Sequence, residues 1–112
     1  MPNEALARGI TSFSFNNVAF PSNGTGGTAL AVPRNRGGEG IAMSWFTAYT
    51  GGPSAVSIAL QVSDDGTTWY QLDTSTVTGG EMKTVTGVCW RLIRGFLTSR
   101  TGGTNITIGV TI

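Results

Sequence analysis

Val56-Ser57-Ile58-Ala59-Leu60-Gln61-Val62-Ser63 is the stretch that decides the fold. Branched apolar residues fall on every second position, which sends Val56, Ile58, Leu60 and Val62 to one face of a strand and the small or polar residues to the other. The period returns at the other end of the half, in Ile106-Thr107-Ile108-Gly109-Val110-Thr111-Ile112, with Thr and Gly facing outward and Ile112 in phase with the core positions.

Working outward, β-branched and aromatic residues flanked by Gly or Pro predict six weaker strands: Thr11 to Phe20, Thr28 to Val32, Gly40 to Tyr49, Thr68 to Leu72, Glu81 to Gly87 and Trp90 to Thr98. The intervals hold Gly-rich turn formers, among them Asn23 to Gly27, Arg34 to Gly38, Asp64-Asp65-Gly66 and Thr101-Gly102-Gly103. No dozen residues keep a 3.6-residue apolar period free of Gly or Pro, so no helix is expected. The expectation is all-β: a single antiparallel β-sandwich of about eight strands, jelly-roll-like, over residues 1–112. Its core should hold Val56, Ile58, Leu60, Val62, Trp69, Ile106, Ile108 and Val110. Residues 1–10 read as an N-terminal arm in which Leu6 and Arg8 serve as apolar and cationic anchors on a neighbour.

Charged residues make up 12% of the 112, about half the usual share of roughly 25%, so the surface is sparsely charged. A net charge of +1 argues against nucleic acid as partner, since such domains are strongly basic. No run of apolar residues approaches the ~20 that span a bilayer, and the first residues lack the basic and apolar regions of a secretory signal. Membrane and secretion are therefore not expected. The lone Cys89 has no internal partner and, beside Trp90 in an expected strand, reads as a small buried hydrophobe made in a reducing compartment.

Catalysis fails on inventory. The chain has no His, which removes the commonest general base and the Ser-His and Cys-His nucleophile pairs. The carboxylates Glu4, Glu39, Asp64, Asp65, Asp73 and Glu81 would need a cleft to face one another as a glycosidase pair, and a small sandwich with short loops offers none. No Gly-rich segment lies between a strand and a helix, so no phosphate loop is expected. Asp64-Asp65-Gly66-Thr67-Thr68-Trp69 lacks the spaced carboxylates of a calcium loop. It reads instead as a tight structural turn in which Asp65 bonds the backbone, Gly66 takes positive φ and Trp69 returns to the core. Neither a metal nor any other cofactor is expected.

Three features point to contacts. Trp90-Arg91-Leu92-Ile93-Arg94 puts two guanidinium groups in an apolar strand, where each needs an internal carboxylate, solvent or a partner. An internal ion pair and an intermolecular contact through Arg94 both remain open. Arg34 and Arg36, in a Gly-rich loop, could grip a neighbour's carboxylates or carbonyls. Trp45, Tyr49, Trp69, Tyr70 and Trp90 are enough aromatics for a sugar-stacking platform, although a core this small needs most of them for itself.

Val62 to Leu72, with Ser63-Asp64-Asp65-Gly66-Thr67-Thr68-Trp69 at its centre, followed by Trp90-Arg91-Leu92-Ile93-Arg94, resembles the pattern S-x-D-G-x-x-W then R-x-x-R. That pattern occurs in discoidin-like, galactose-binding β-sandwiches and in small bacteriophage virion proteins. The continuation Leu97-Thr98-Ser99-Arg100-Thr101-Gly102-Gly103-Thr104 and the alternating last strand are more similar to the second group. The resemblance covers roughly the C-terminal half. It implies a non-enzymatic virion structural protein of the capsid cement or decoration type, made in the bacterial host cytoplasm and resident in the virion. The implied partners are the major capsid protein or another virion protein, and copies of itself, with a trimer the expected homo-oligomer. The alternative it carries is a carbohydrate-binding module or a tail or fibre component on a phage surface.

Overall fold

A computed structural model describes residues 4–6, 9–33 and 40–112. Their strands are β1 (Glu4–Ala5), β2 (Thr11–Ala19), β3 (Thr25–Gly26), β4 (Leu30–Ala31), β5 (Ile41–Thr50), β6 (Ala55–Ser63), β7 (Tyr70–Ser75), β8 (Glu81–Val88), β9 (Leu92–Thr101) and β10 (Asn105–Thr111). No helix is long and apolar enough to cross a membrane among the described residues.

The strands form two sheets, one ordered β1-β4-β9-β6-β7 with β3 also on β9, the other ordered β2-β10-β5-β8. All pairings are antiparallel except β1 with β4. Setting aside the two-residue β1 and β3, the remaining eight strands pass between the sheets in jelly-roll order, the all-β sandwich expected from the periodicity.

Alternation explains the core. Val56, Ile58, Leu60 and Val62 of β6 and Ile93 and Leu97 of β9 face Met43 and Trp45 of β5 and Ile106, Ile108 and Val110 of β10, all of them buried. Gly109 faces outward on β10, and there Phe13 and Phe46 meet edge to face across it, with ring centroids 6.3 Å apart. A Cβ at Gly109 would lie 2.3 Å from the Phe46 ring, so the glycine is what lets the aromatic cover the strand.

Three expectations are corrected. Leu6 is not an exposed anchor: it is 4% exposed in the core, its N–H donates to the Ala31 carbonyl, and Gly9 N–H donates to the Ile112 carbonyl. Glu4–Ala5 adds to the larger sheet beside β4, so the described part of the 1–10 segment is bound to its own domain. Burying Leu6 there removes an apolar side chain from water without a second molecule. Arg8, Arg34 and Arg36 lie outside the described residues.

Trp69 is not in the core. The link from β6 to β7 is a six-residue loop, and register resumes with Tyr70 opposite the inward Val62. With a side-chain period of two, Trp69 therefore falls on the opposite, outer face. Cys89, finally, is exposed, because β8 ends at Val88 and β9 begins only at Leu92, leaving the cysteine in the turn between them.

Candidate functional site

The loop after β6 is built by one carboxylate. Asp65 Oδ1 accepts the Thr67 and Thr68 N–H groups, each at 2.8 Å, and the Ser63 hydroxyl at 3.1 Å, while Ser63 Oγ accepts Gly66 N–H at 2.9 Å. The Thr68 and Thr67 donors hold the Asp65 carboxyl below its ordinary pKa, because they favour its charged form. Gly66 closes the turn with φ +78°, a conformation that costs side-chain-bearing residues strain. Asp65 and Gly66 thus shape the loop, and the loop delivers Trp69 to the outer face of the larger sheet.

On that face Trp69 meets Arg94. The guanidinium carbon lies 4.0 Å from the Trp69 ring centroid and 5.5 Å from that of Phe96. Arg94 Nε donates to Gln61 Oε1 at 2.9 Å, a cross-strand contact set by the pairing of Gln61 with Arg94 between β6 and β9. Gly26 of β3 supplies the remaining space: a Cβ there would lie 2.5 Å from the Arg94 guanidinium. The side chain is half-buried, and loss of hydration lowers its pKa from the ordinary arginine value without threatening its charge.

No described carboxylate pairs with it. The four whose side chains are described have other occupations: Asp64 Oδ1 accepts the Arg91 N–H at 3.0 Å, Asp65 holds its loop, and Asp73 and Glu81 face Lys83 at 2.9 and 3.8 Å. Of the two arginines that sequence left open, Arg91 is answered internally, its guanidinium donating to the Asp64 carbonyl at 3.1 Å. Arg100 stacks on Phe20 at 4.7 Å and donates to the Gly102 carbonyl at 2.9 Å. Arg91 and Arg100, like Arg94, have only neutral acceptors for their guanidinium groups, but theirs are reached through Nη1, whereas Arg94 bonds only through Nε and its two Nη atoms have no acceptor among the described residues. What this arrangement can do chemically is donate hydrogen bonds from the free Nη groups of a guanidinium held against two aromatic rings, a geometry suited to a planar anion.

Beyond the same loop lies a shallow groove of about 230 Å³ lined by Asp64, Asp65, Thr68, Tyr70 and Trp90. Tyr70 is 61% exposed there. Trp45, by contrast, is sealed in the core, and Tyr49 stacks against Phe20 with centroids 5.9 Å apart. Of the aromatic platform suggested by composition, Tyr70 is exposed and Trp69 and Trp90 are partly so. No group of three His, Cys, Asp or Glu side chains gathers as a metal site among the described residues.

Sequence reasoning marked Arg94 as a contact residue but missed Gln61, Phe96 and Gly26. The signal for Gln61 was its outward phase in β6, and the signal for Phe96 its position two residues from Arg94 on one strand face. Gly26 carried none, because its role depends on β3 crossing β9.

No protein-family model matches the chain, and no curated protein does. Among solved structures it is similar to a chain of the Bacillus endospore appendages, described as "a novel family of disulfide-linked pili", at 15% identity over 98% of this chain and 95% of that one, with a TM-score of 0.41.

Proposed function

We propose that this chain is a non-enzymatic structural protein of a bacteriophage particle, a capsid cement or decoration protein that docks on the head lattice and reinforces it. The observation that carries the reading is Arg94: a half-buried cation stacked on Trp69 and Phe96, without an acidic partner among the described residues, on an open sheet face. A structural ion is normally answered within the fold, as Asp73 answers Lys83. An unanswered one in a built seat suits a surface that another protein covers. The virion motif resemblance of the C-terminal half supports the setting, and jelly rolls serve in capsids among many other places, an argument by analogy only. On this reading the chain folds in the host cytoplasm and acts as a homo-oligomer, a trimer on local three-fold positions of the lattice.

The test is addition of the purified chain to phage heads made without it. The expected outcome is stoichiometric co-sedimentation in many copies per head and slower release of DNA on heating, with light scattering reporting a trimer in free solution. Heads that sediment without the chain overturn the proposal. Binding of the chain to a glycan array, abolished by Tyr70→Ala, would replace it with the carbohydrate-binding reading, which the Tyr70 and Trp90 groove favours.

A further inference from the structure

Four structural choices converge on one guanidinium. Gln61 takes the Nε–H, Trp69 and Phe96 supply the stacking faces, and Gly26 forgoes a side chain whose first carbon would collide with it at 2.5 Å. Long cationic side chains on an open sheet ordinarily keep their rotamer freedom, and here four contacts restrict it within the chain itself. Trp69 and Phe96 lie against the guanidinium, and Gln61 takes its Nε–H. What remains is the pair of Nη groups, which have no acceptor among the described residues, Nη1 lying beside Gly26.

We propose that this seat is a preorganised receptor for a single carboxylate carried by an Asp or Glu side chain of a different protein. The inference rests on the docking reading above and names the partner's chemistry. A carboxylate fits because its two oxygens match the spacing of two parallel guanidinium N–H donors and its single charge balances a single cation. A phosphate would bring a second negative charge, and among the described residues no second cation reaches the seat: Arg91, Arg100 and Lys83 are bonded elsewhere. A second copy of the chain does not supply the acid from its described carboxylates, since Asp64, Asp65, Asp73 and Glu81 each already answer a donor of their own chain or the Lys83 ammonium. No described carboxylate of a second copy is free, and the occupant to which the proposal commits is an acidic residue of a heterologous protein surface, approaching the larger sheet face-on.

The experiment titrates the intact protein with the peptide Ac-Thr-Glu-Thr-NH2 and follows the Arg94 Nε–H and Trp69 Nε1–H resonances by NMR. The matched Gln peptide and inorganic phosphate serve as comparison arms. The expected result is a saturable shift of both resonances by the Glu peptide at millimolar concentration, none by the Gln peptide, and binding weakened about tenfold or more in Arg94→Lys, which keeps the charge but loses the fork and the stacking. Should Arg94→Lys fail to fold, Gly26→Ala displaces the guanidinium instead and must weaken binding likewise. Equal shifts from the Gln peptide, saturation by phosphate below the Glu peptide's range, or unchanged affinity in both variants overturns the receptor. Saturable Glu-peptide binding by a chain that never adds to phage heads supports the receptor and sinks the lattice reading alone. Head addition without any Glu-peptide response does the reverse.

Discussion

Two tryptophans of this chain each sit against a charged side chain, with opposite outcomes. Trp45, buried at 1% exposure, donates its Nε1–H to Asp73 Oδ2 at 3.0 Å. Asp73 in turn receives Lys83 Nζ at 2.9 Å, and Lys83 also donates to the Thr74 carbonyl at 2.6 Å. This side of the sandwich joins edge strands β7 and β8 of different sheets, and every charge there is answered. Trp69, on the outer face, lies under Arg94, whose charge is answered by no acid among the described residues. Both sites use an aromatic ring to position an ion. In the first the ion closes an edge of the fold, where an inward-pointing lysine also discourages further strand pairing. In the second the ion remains available. Burial and complete hydrogen bonding tie the first charge to the fold, whereas in the second the Nη groups keep no acceptor among the described residues.

The largest expected effect separates the two rings. Trp45→Ala opens a cavity in the core and strips Asp73 of a donor, so urea unfolding should show a loss of about 4 kcal/mol. Trp69→Ala removes a half-buried ring and one cation–π contact, and should cost no more than about 1–2 kcal/mol. Equal losses would mean that the outer face is as structural as the core.

The next test is acid. Burial alone would raise the Asp73 pKa, but the Lys83 ammonium, the Trp45 N–H and the Thr74 N–H outweigh it and hold the carboxyl below its ordinary value. A carboxyl depressed in the folded state contributes stability that is fully present above the unfolded pKa of about 3.9 and is lost as pH falls through the lower folded value. Wild-type urea midpoints should therefore decline on acidification below about pH 4–5. Asp73→Asn should begin lower, by about 1–2 kcal/mol at neutral pH given the partial exposure of the pair, and should show a shallower acid limb. An unchanged limb would assign the acid sensitivity to Asp65, the other carboxyl held below its ordinary range.

How far sequence carried these sites follows from how local their causes are. The alternation in β6 and β10 is a property of consecutive residues, so Ile58, Leu60, Ile106 and Ile108 could be placed inside without knowing their neighbours. The Asp65 and Gly66 turn is equally local. Trp69 went to the wrong face because the phase of β7 is set by Tyr70 pairing with the inward Val62, an odd number of residues lying between them, and one residue of phase reverses a side chain. Leu6 was misplaced because its burial depends on a parallel pairing with Leu30 and Ala31, some 25 residues away, that no periodicity in two residues of strand can announce. Arg94 was legible as an ion that needed a partner. The identity of its companions was not, since Gln61, Trp69 and Gly26 reach it from three other parts of the chain.

The smallest expected effect on stability is the most discriminating for function. Gly26→Ala adds one carbon where the Arg94 guanidinium now lies, at 2.5 Å. Because the obstructed atoms are the far end of a flexible side chain, the collision is relieved by swinging the guanidinium off Trp69 without moving backbone. Gly95, on the neighbouring strand, makes the contrast: a Cβ there meets Ile108 Cδ1 at 2.6 Å and Cγ2 at 3.0 Å inside the core, where overpacking costs about 1–3 kcal/mol. Gly26→Ala should thus leave the urea midpoint within about 0.5 kcal/mol of wild type, while the Trp69 Nε1–H resonance moves and head binding falls. A loss of stability comparable to that of Gly95→Ala would show that the seat supports the sheet itself, and Arg94 would then belong with Lys83 among the ions that serve the fold.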